Sequence, residues 1–176
     1  YVNLNEMRTE DPELHLPPAQ LIFAHIGYVD VVGHAYGTQS SEYRAAVARA
    51  DDAIGRIARS LDPTRETLIV TSDHGNLDQG GHGGTERAAV RIPIVVWGAG
   101  AAHGTRRGGR GRDVGPTIAS LLGLGPLSHA TGRPLVHGDV AAARQRAAAR
   151  ATVRASGRVR VDYIPMAIPI TMVALV

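Results

Sequence analysis

Neither cysteine nor lysine occurs in this 176-residue chain. Without cysteine there is no disulfide framework and no thiolate metal site, and the redox compartment leaves no mark. Without lysine, all 19 basic residues are arginine, a bias we attribute mainly to a GC-rich genome. Arginine still suits phosphate, because its planar fork grips two oxygens at once. Aromatics make up only 4% of residues, and none interleaves the arginine runs Arg106 to Arg112 and Arg144 to Arg160. With no nucleic-acid motif either, nucleic acid is not an expected partner. The chain opens at Tyr1 with no initiator Met, no basic segment and no apolar core, so no signal peptide is read there. The expectation is a chain that begins inside a longer protein.

What is present suffices for one domain: the length can bury a core, and the apolar fraction of 44% is ordinary. Residues 1–17 are polar and proline-bounded, and read as a loop or the tail of a missing N-terminal half. Gln20 to Ile26 is a short apolar run with the pattern of a buried strand. Ser40 to Leu61 is a predicted helix: Ser40 or Ser41 caps it, Ala46, Val47, Ala50, Ile54, Ile57 and Leu61 recur at helical spacing, and Pro63 stops it. Glu66 to Thr71 and Ile92 to Trp97 are further predicted strands, with a glycine-rich loop from Gly75 to Glu86 between them. Asp113 to Leu122 is a second predicted helix, with Pro116 near its first turn and Gly123 as its C-cap. This order is that of an α/β domain with a mostly parallel sheet, in which ligands bind beyond the carboxyl ends of strands.

The tail differs from the rest. Residues 139–160 are an Ala/Arg-rich helix or linker, and residues 161–176 are almost wholly apolar. That last stretch is readable as the start of a transmembrane helix, or equally as an edge strand or docking segment.

Three short clusters carry the chemistry. Asp30-Val31-Val32-Gly33-His34, Ser72-Asp73-His74-Gly75-Asn76 and Gly80-Gly81-His82-Gly83-Gly84 offer two carboxylates and three imidazoles. Mixed Asp and His sets suit zinc, manganese or iron. Asp30 and His34 alone could be a solvated pair beside a helix start, and His82 alone an ordinary loop residue; the set gives each its weight. His25 reads as a core histidine, while His15, His103, His129 and His137 read as surface or loop. Tyr28 and Asn76 are candidates for touching a substrate.

The ordered motifs Asp-x-x-x-His, Ser-Asp-His-Gly and Gly-His-Gly-Gly resemble the alkaline phosphatase superfamily, which includes type I phosphodiesterases and nucleotide pyrophosphatases, phosphoglycerate mutases, sulfatases and phosphoethanolamine transferases. The resemblance runs from about Gln20 to Val136 and extends to Asp113-Val114-Gly115-Pro116-Thr117 and Gly132-Arg133-Pro134-Leu135, which look like the helix and closing strand of such a domain. It implies a three-layer α/β/α sandwich with a mostly parallel sheet, of which residues 18–138 would be the C-terminal half. It also implies two divalent metal ions, zinc or else manganese. Asp30, His34 and His82 would bind one ion, and Asp73 and His74 the other. The Ser or Thr nucleophile of the family, and an Asp that accompanies it, have no match here and are expected upstream of Tyr1.

The implied activity is hydrolysis or transfer of a phosphate-ester group, on a small molecule or a lipid head group. Gly81-His82-Gly83-Gly84-Thr85-Glu86 looks like the membrane-anchored phosphodiesterase and transferase branch, which with the apolar tail implies membrane association and an extracytoplasmic catalytic domain; a soluble protein is the alternative. Asp73-His74-Gly75-Asn76 is shared with the mutase branch. A sulfatase, and a non-catalytic metal-stabilised interaction module, are the other readings kept.

Overall fold

The computed structural model describes residues 2–3, 19–101, 108–136 and 171–175. The chain divides into two compact units, Tyr1–Ala99 with Ile168–Val176, and Gly100–Ala167.

The first unit holds a five-stranded sheet. Its strands are β1 (Val2–Asn3), β2 (Ile22–Ile26), β3 (Thr67–Ser72), β4 (Ile94–Gly98) and β5 (Thr171–Leu175), in the order β1-β2-β5-β3-β4. Between β2 and β3 come α1 (Tyr28–Tyr36) and α2 (Ser41–Ser60), and a single turn of helix, α3 (Arg87–Val90), precedes β4. The mixed α/β class agrees with the sequence reading. The mostly parallel sheet does not: only β1 and β2 pair in parallel, whereas β2–β5, β5–β3 and β3–β4 are antiparallel.

Two causes account for the difference. A parallel return from β3 to β4 needs a crossover that runs back along the sheet, usually a helix. The connection here, residues 73–93, is mostly irregular loop with only the four residues of α3 helical, and β4 returns antiparallel beside β3. The second cause is β5. It enters from the far end of the chain and lies between β2 and β3, antiparallel to both. Its Thr171–Leu175 stretch, within the apolar tail, is thus a strand; the rest of 161–176 lies outside the described residues. No helix among the described residues is long and apolar enough to cross a membrane.

Being antiparallel to a shared neighbour, β2 and β3 point the same way, and the register aligns their ends. Ile26 and Ser72 both pair with Thr171. The segments that follow them, which carry Asp30 and Asp73, therefore leave the sheet at the same edge.

Helix α2 forms where its periodicity predicts. Ser40 sits in extended backbone and its Oγ accepts the Tyr43 N–H at 3.0 Å, capping an otherwise orphaned donor. The helix buries Ala46, Ala50, Ala53 and Ile57, small residues save the last. The core is Ile22, Ala24 and Ile26 of β2 and Leu68 of β3 with Ala50, Ala53 and Ile57. We expect Ser40→Ala to lower stability by about 1 kcal/mol, read as a shift in the urea midpoint at unchanged slope.

In the second unit a 3-10 turn, Gly111–Asp113, leads into α4 (Val114–Leu121). The Asp113 carboxylate accepts the backbone N–H of Arg133 at 3.0 Å and of Arg110 at 2.9 Å, which hold it below the ordinary carboxylate range. The Thr117 hydroxyl accepts the Leu135 N–H at 2.9 Å. Gly132 to Leu135 was expected as a closing strand and is irregular instead. Two of its backbone donors, on Arg133 and Leu135, are taken by side chains of the turn and helix. Residues 1, 4–18, 102–107, 137–170 and 176 lie outside the described residues, and with them Arg106 and Arg107 of the first arginine run, all of the second, and the expected 139–160 helix or linker.

Candidate metal centre

Helix α1 begins two residues past the end of β2. It was not predicted as a helix, yet it explains the first cluster. Asp30 lies in its first turn, where a carboxylate is favoured by the helix dipole, and His34 follows one turn later on the same face. Asp30 is buried, and its Oδ2 lies 3.6 Å from His34 Nε2.

The second cluster follows β3 directly. His74 Nδ1 lies 3.1 Å from the Gly75 carbonyl oxygen. A proton on Nδ1 satisfies that contact and leaves the Nε2 lone pair free, the usual way a backbone carbonyl sets the tautomer of a ligating histidine. His74 Nε2 lies 4.0 Å from Asp30 Oδ1 and 3.7 Å from Asp73 Oδ2.

The third cluster folds back onto the first two. His82 Nε2 is 3.9 Å from Asp30 Oδ1. Its ring stacks on His74 with centroids 3.6 Å apart and meets His34 edge-on at 4.8 Å. The loop is pinned to the start of α2. The Asp78 carboxylate accepts from Gln39 Nε2 at 3.0 Å and from the Thr38 hydroxyl, and these two donors hold it below its ordinary value. Gly37 makes the approach possible: it has φ +73°, and a Cβ there would lie 2.1 Å from the Asp78 carbonyl oxygen.

All five residues read from the sequence thus meet at one place. Asp30 is the hub. One of its oxygens faces His34, and the other faces His74 and His82; one ligand atom each from Asp30, His74 and His82 lies within 4.8 Å of the others. Asp73 stands beside His74.

Does this set suit a cation? Asp30 Oδ1 and His74 Nε2 are both buried and have no hydrogen-bond partner. Buried polar atoms are nearly always satisfied, and the exceptions mark missing ions, waters or function. Two ligands of one zinc ion, at bonds of about 2.0–2.2 Å, lie about 3–4 Å apart. The donor chemistry and the spacing both fit.

A cleft of about 510 Å³ opens beside the cluster, lined by Asp30, Asp73, His74 and Asn76 together with Val47, Ile54 and Val70. Tyr43 and Arg91 also line it. Neither was legible in the sequence, because only the packing of α2 and of the segment around α3 brings them here. Burial pushes the Tyr43 hydroxyl above its ordinary pKa; a hydrogen bond from Asn76 works against this, and the Asp30 charge adds to it. Tyr28 does not line the cleft: its ring packs against the core under the Arg49 guanidinium, 4.8 Å from the centroid. His25 is buried in β2, as expected of a core histidine.

A family model described as type I phosphodiesterase / nucleotide pyrophosphatase matches residues 3–79, which takes in Asp30, His34, Asp73 and His74 but stops short of His82. Among curated proteins, GPI ethanolamine phosphate transferase 1 of Mus musculus is 28% identical over 130 residues, covering 59% of this chain and 14% of that protein. The 2,3-bisphosphoglycerate-independent phosphoglycerate mutase of Roseobacter denitrificans is 35% identical over 120 residues, 66% of this chain and 23% of the enzyme. The enzyme of the same name from Cereibacter sphaeroides is 32% identical over 143 residues, 74% of this chain and 27% of the enzyme. The chain thus spans between 14% and 27% of the length of these relatives. No solved structure matches. With a family model over four of the five clustered residues and relatives on both the transferase and the mutase side, the chain belongs to the alkaline phosphatase superfamily.

Proposed function

We propose that Asp30, His34, Asp73, His74 and His82 bind two divalent metal ions, zinc or else manganese, in an enzyme that hydrolyses or transfers a phosphate-ester group. The observation that carries this is the pair of unsatisfied buried atoms, Asp30 Oδ1 and His74 Nε2, facing each other across 4.0 Å. Charge neutralisation at the phosphoryl oxygens is the chemistry that bound cations supply.

The chain's own residues prepare the rest. Asp30 offers an oxygen to either side. The Gly75 carbonyl fixes the His74 tautomer, and the Thr38–Asp78–Gln39 contacts steady the loop that brings His82. Arg91, on the rim of the cleft, is placed to pair with an anionic ester. The nucleophile is assigned to a Ser or Thr ahead of Tyr1, as the resemblance implies. The substrate class is a phosphate-ester small molecule or a lipid head group. A mutase is the second reading, favoured by the 35% identity to the Roseobacter enzyme and by Asn76 after Asp73-His74-Gly75.

The test is an activity screen on the protein at its native length, first stripped by a chelator and then resupplied with zinc or manganese. The substrates are p-nitrophenyl phosphate, bis(p-nitrophenyl) phosphate, p-nitrophenyl sulfate and the two phosphoglycerates. Turnover of either phosphate ester that vanishes on stripping and returns with metal supports the main reading. Interconversion of the phosphoglycerates selects the mutase, and sulfate ester cleavage a sulfatase. Turnover indifferent to the chelator overturns the metal assignment. Metal binding without turnover of any substrate leaves the non-catalytic module.

A further inference from the structure

We propose that Asn76 is a positioning residue that locks the helix bearing Asp30 and His34 to the loop bearing Asp73 and His74, so that a cation meets ligands already in place. This rests on the metal reading above.

Three elements meet at the Asn76 side chain. It comes from the loop, two residues past His74. On one side it hydrogen-bonds Tyr43 of α2. On the other it lies flat on α1 at Gly33, the residue just before His34. A Cβ built on Gly33 would stand 2.0 Å from Asn76 Nδ2, 2.9 Å from Asn76 Cγ and 3.1 Å from Tyr43 Cε2. No side chain larger than hydrogen fits there without moving the amide. Gly33 has ordinary helical backbone, so closeness of approach, not an unusual φ, is what favours glycine here.

The amide is also incompletely satisfied: Asn76 Oδ1 is buried without a hydrogen-bond partner. An amide kept only for stability would be expected to find partners for both of its ends. Here one end holds Tyr43, and the group as a whole spaces α1 from the end of β3. The distance it sets is the distance between Asp30 and His74. Ligand shells are commonly held in this way, and loss of a supporting contact weakens metal affinity by about 10–100-fold.

The experiment uses the native-length protein, stripped of metal and titrated calorimetrically with zinc, with the visible spectrum of the cobalt-substituted protein as a readout of ligand geometry. Asn76→Ala and Gly33→Ala should each weaken zinc binding about 10–100-fold and shift the cobalt bands. Because both act on one contact, the double variant should lose no more than the worse single one. Additive losses overturn the shared contact. Wild-type zinc affinity in Asn76→Ala overturns the proposal, as does a lower melting temperature with affinity unchanged, since that describes a merely structural role. Should Asn76→Ala fail to fold, Tyr43→Phe removes only the hydroxyl that Asn76 holds: weaker zinc binding supports the proposal, and unchanged binding overturns it. A wild-type protein that binds no zinc or cobalt sinks the metal reading itself, a different result from a wild type that binds and variants that bind equally well.

Discussion

Asp30→Asn should abolish zinc stabilisation while leaving the metal-free protein at least as stable as the parent. Asp30 is 8% exposed, and one carboxylate oxygen has no hydrogen-bond partner. A charge held in that state costs free energy in the fold. The amide keeps the shape and removes the charge, so the apo protein gives up a helix-dipole contribution of about 0.3–1 kcal/mol but relieves the larger cost of the buried charge. The same change removes the group that faces all the nearest imidazoles, at 3.6 Å for His34, 4.0 Å for His74 and 3.9 Å for His82. Calorimetric melting with and without zinc is the check. At a free zinc concentration 100 times the dissociation constant, the parent should gain about 2.7 kcal/mol and the variant essentially none. A variant that still gains fully would remove Asp30 from the ligand set. In the native-length protein, Asp30→Asn, His34→Ala and Asp73→Ala should each abolish the proposed turnover without unfolding the protein.

Ile57→Ala should be the most damaging core substitution, at about 2–5 kcal/mol. Ile57 is 0% exposed, and the other buried residues of α2 are all alanines. It is therefore the one large apolar group that α2 buries against Ile22, Ala24, Ile26 and Leu68. Of the other bulky residues on the helix, Ile54 also packs against this core but is only partly buried. Against a total stability of about 5–15 kcal/mol, such a loss brings the unit close to unfolding at ordinary temperature. Urea denaturation measures it. Val47→Ala on the same helix is the control: Val47 is 44% exposed, and its truncation should cost about 0.5 kcal/mol or less. Equal effects at the two positions would show that the core is not where the burial pattern puts it.

The parts of this protein that could be read from the sequence are those decided locally. Helix α2 announces itself by a cap, a periodic face and a proline stop, all within one stretch. Strands β2, β3 and β4 are short apolar runs, legible within a residue or two. Helix α1 was missed because its nine residues include Val29, Val31, Val32 and Gly33, which favour strands or turns. It is a helix because that form turns Asp30 and His34 to one side and lets Gly33 meet Asn76. The sheet's pairing was beyond local reading, since it depends on where Thr171–Leu175 inserts. The five clustered residues were legible as types in a familiar order. Their grouping around Asp30 was not, because the distances among Asp30, His74 and His82 are set by the return of a glycine-rich loop.

The placement of β5 also bears on the order of events during synthesis. Ile22 and Leu68 both pair with Leu175, so the middle of the sheet is a contact between distant parts of the chain. Such pairings close slowly, after local helices have formed. On the ribosome, α2 can form as soon as it emerges, but β2 and β3 must wait for Thr171–Leu175 before they are joined. Until then the ends of those two strands have no common ruler, and Asp30 and His74 have no fixed separation. High-affinity metal capture is therefore expected only after release of this segment from the ribosome, and a nascent chain halted before Thr171 should bind zinc weakly.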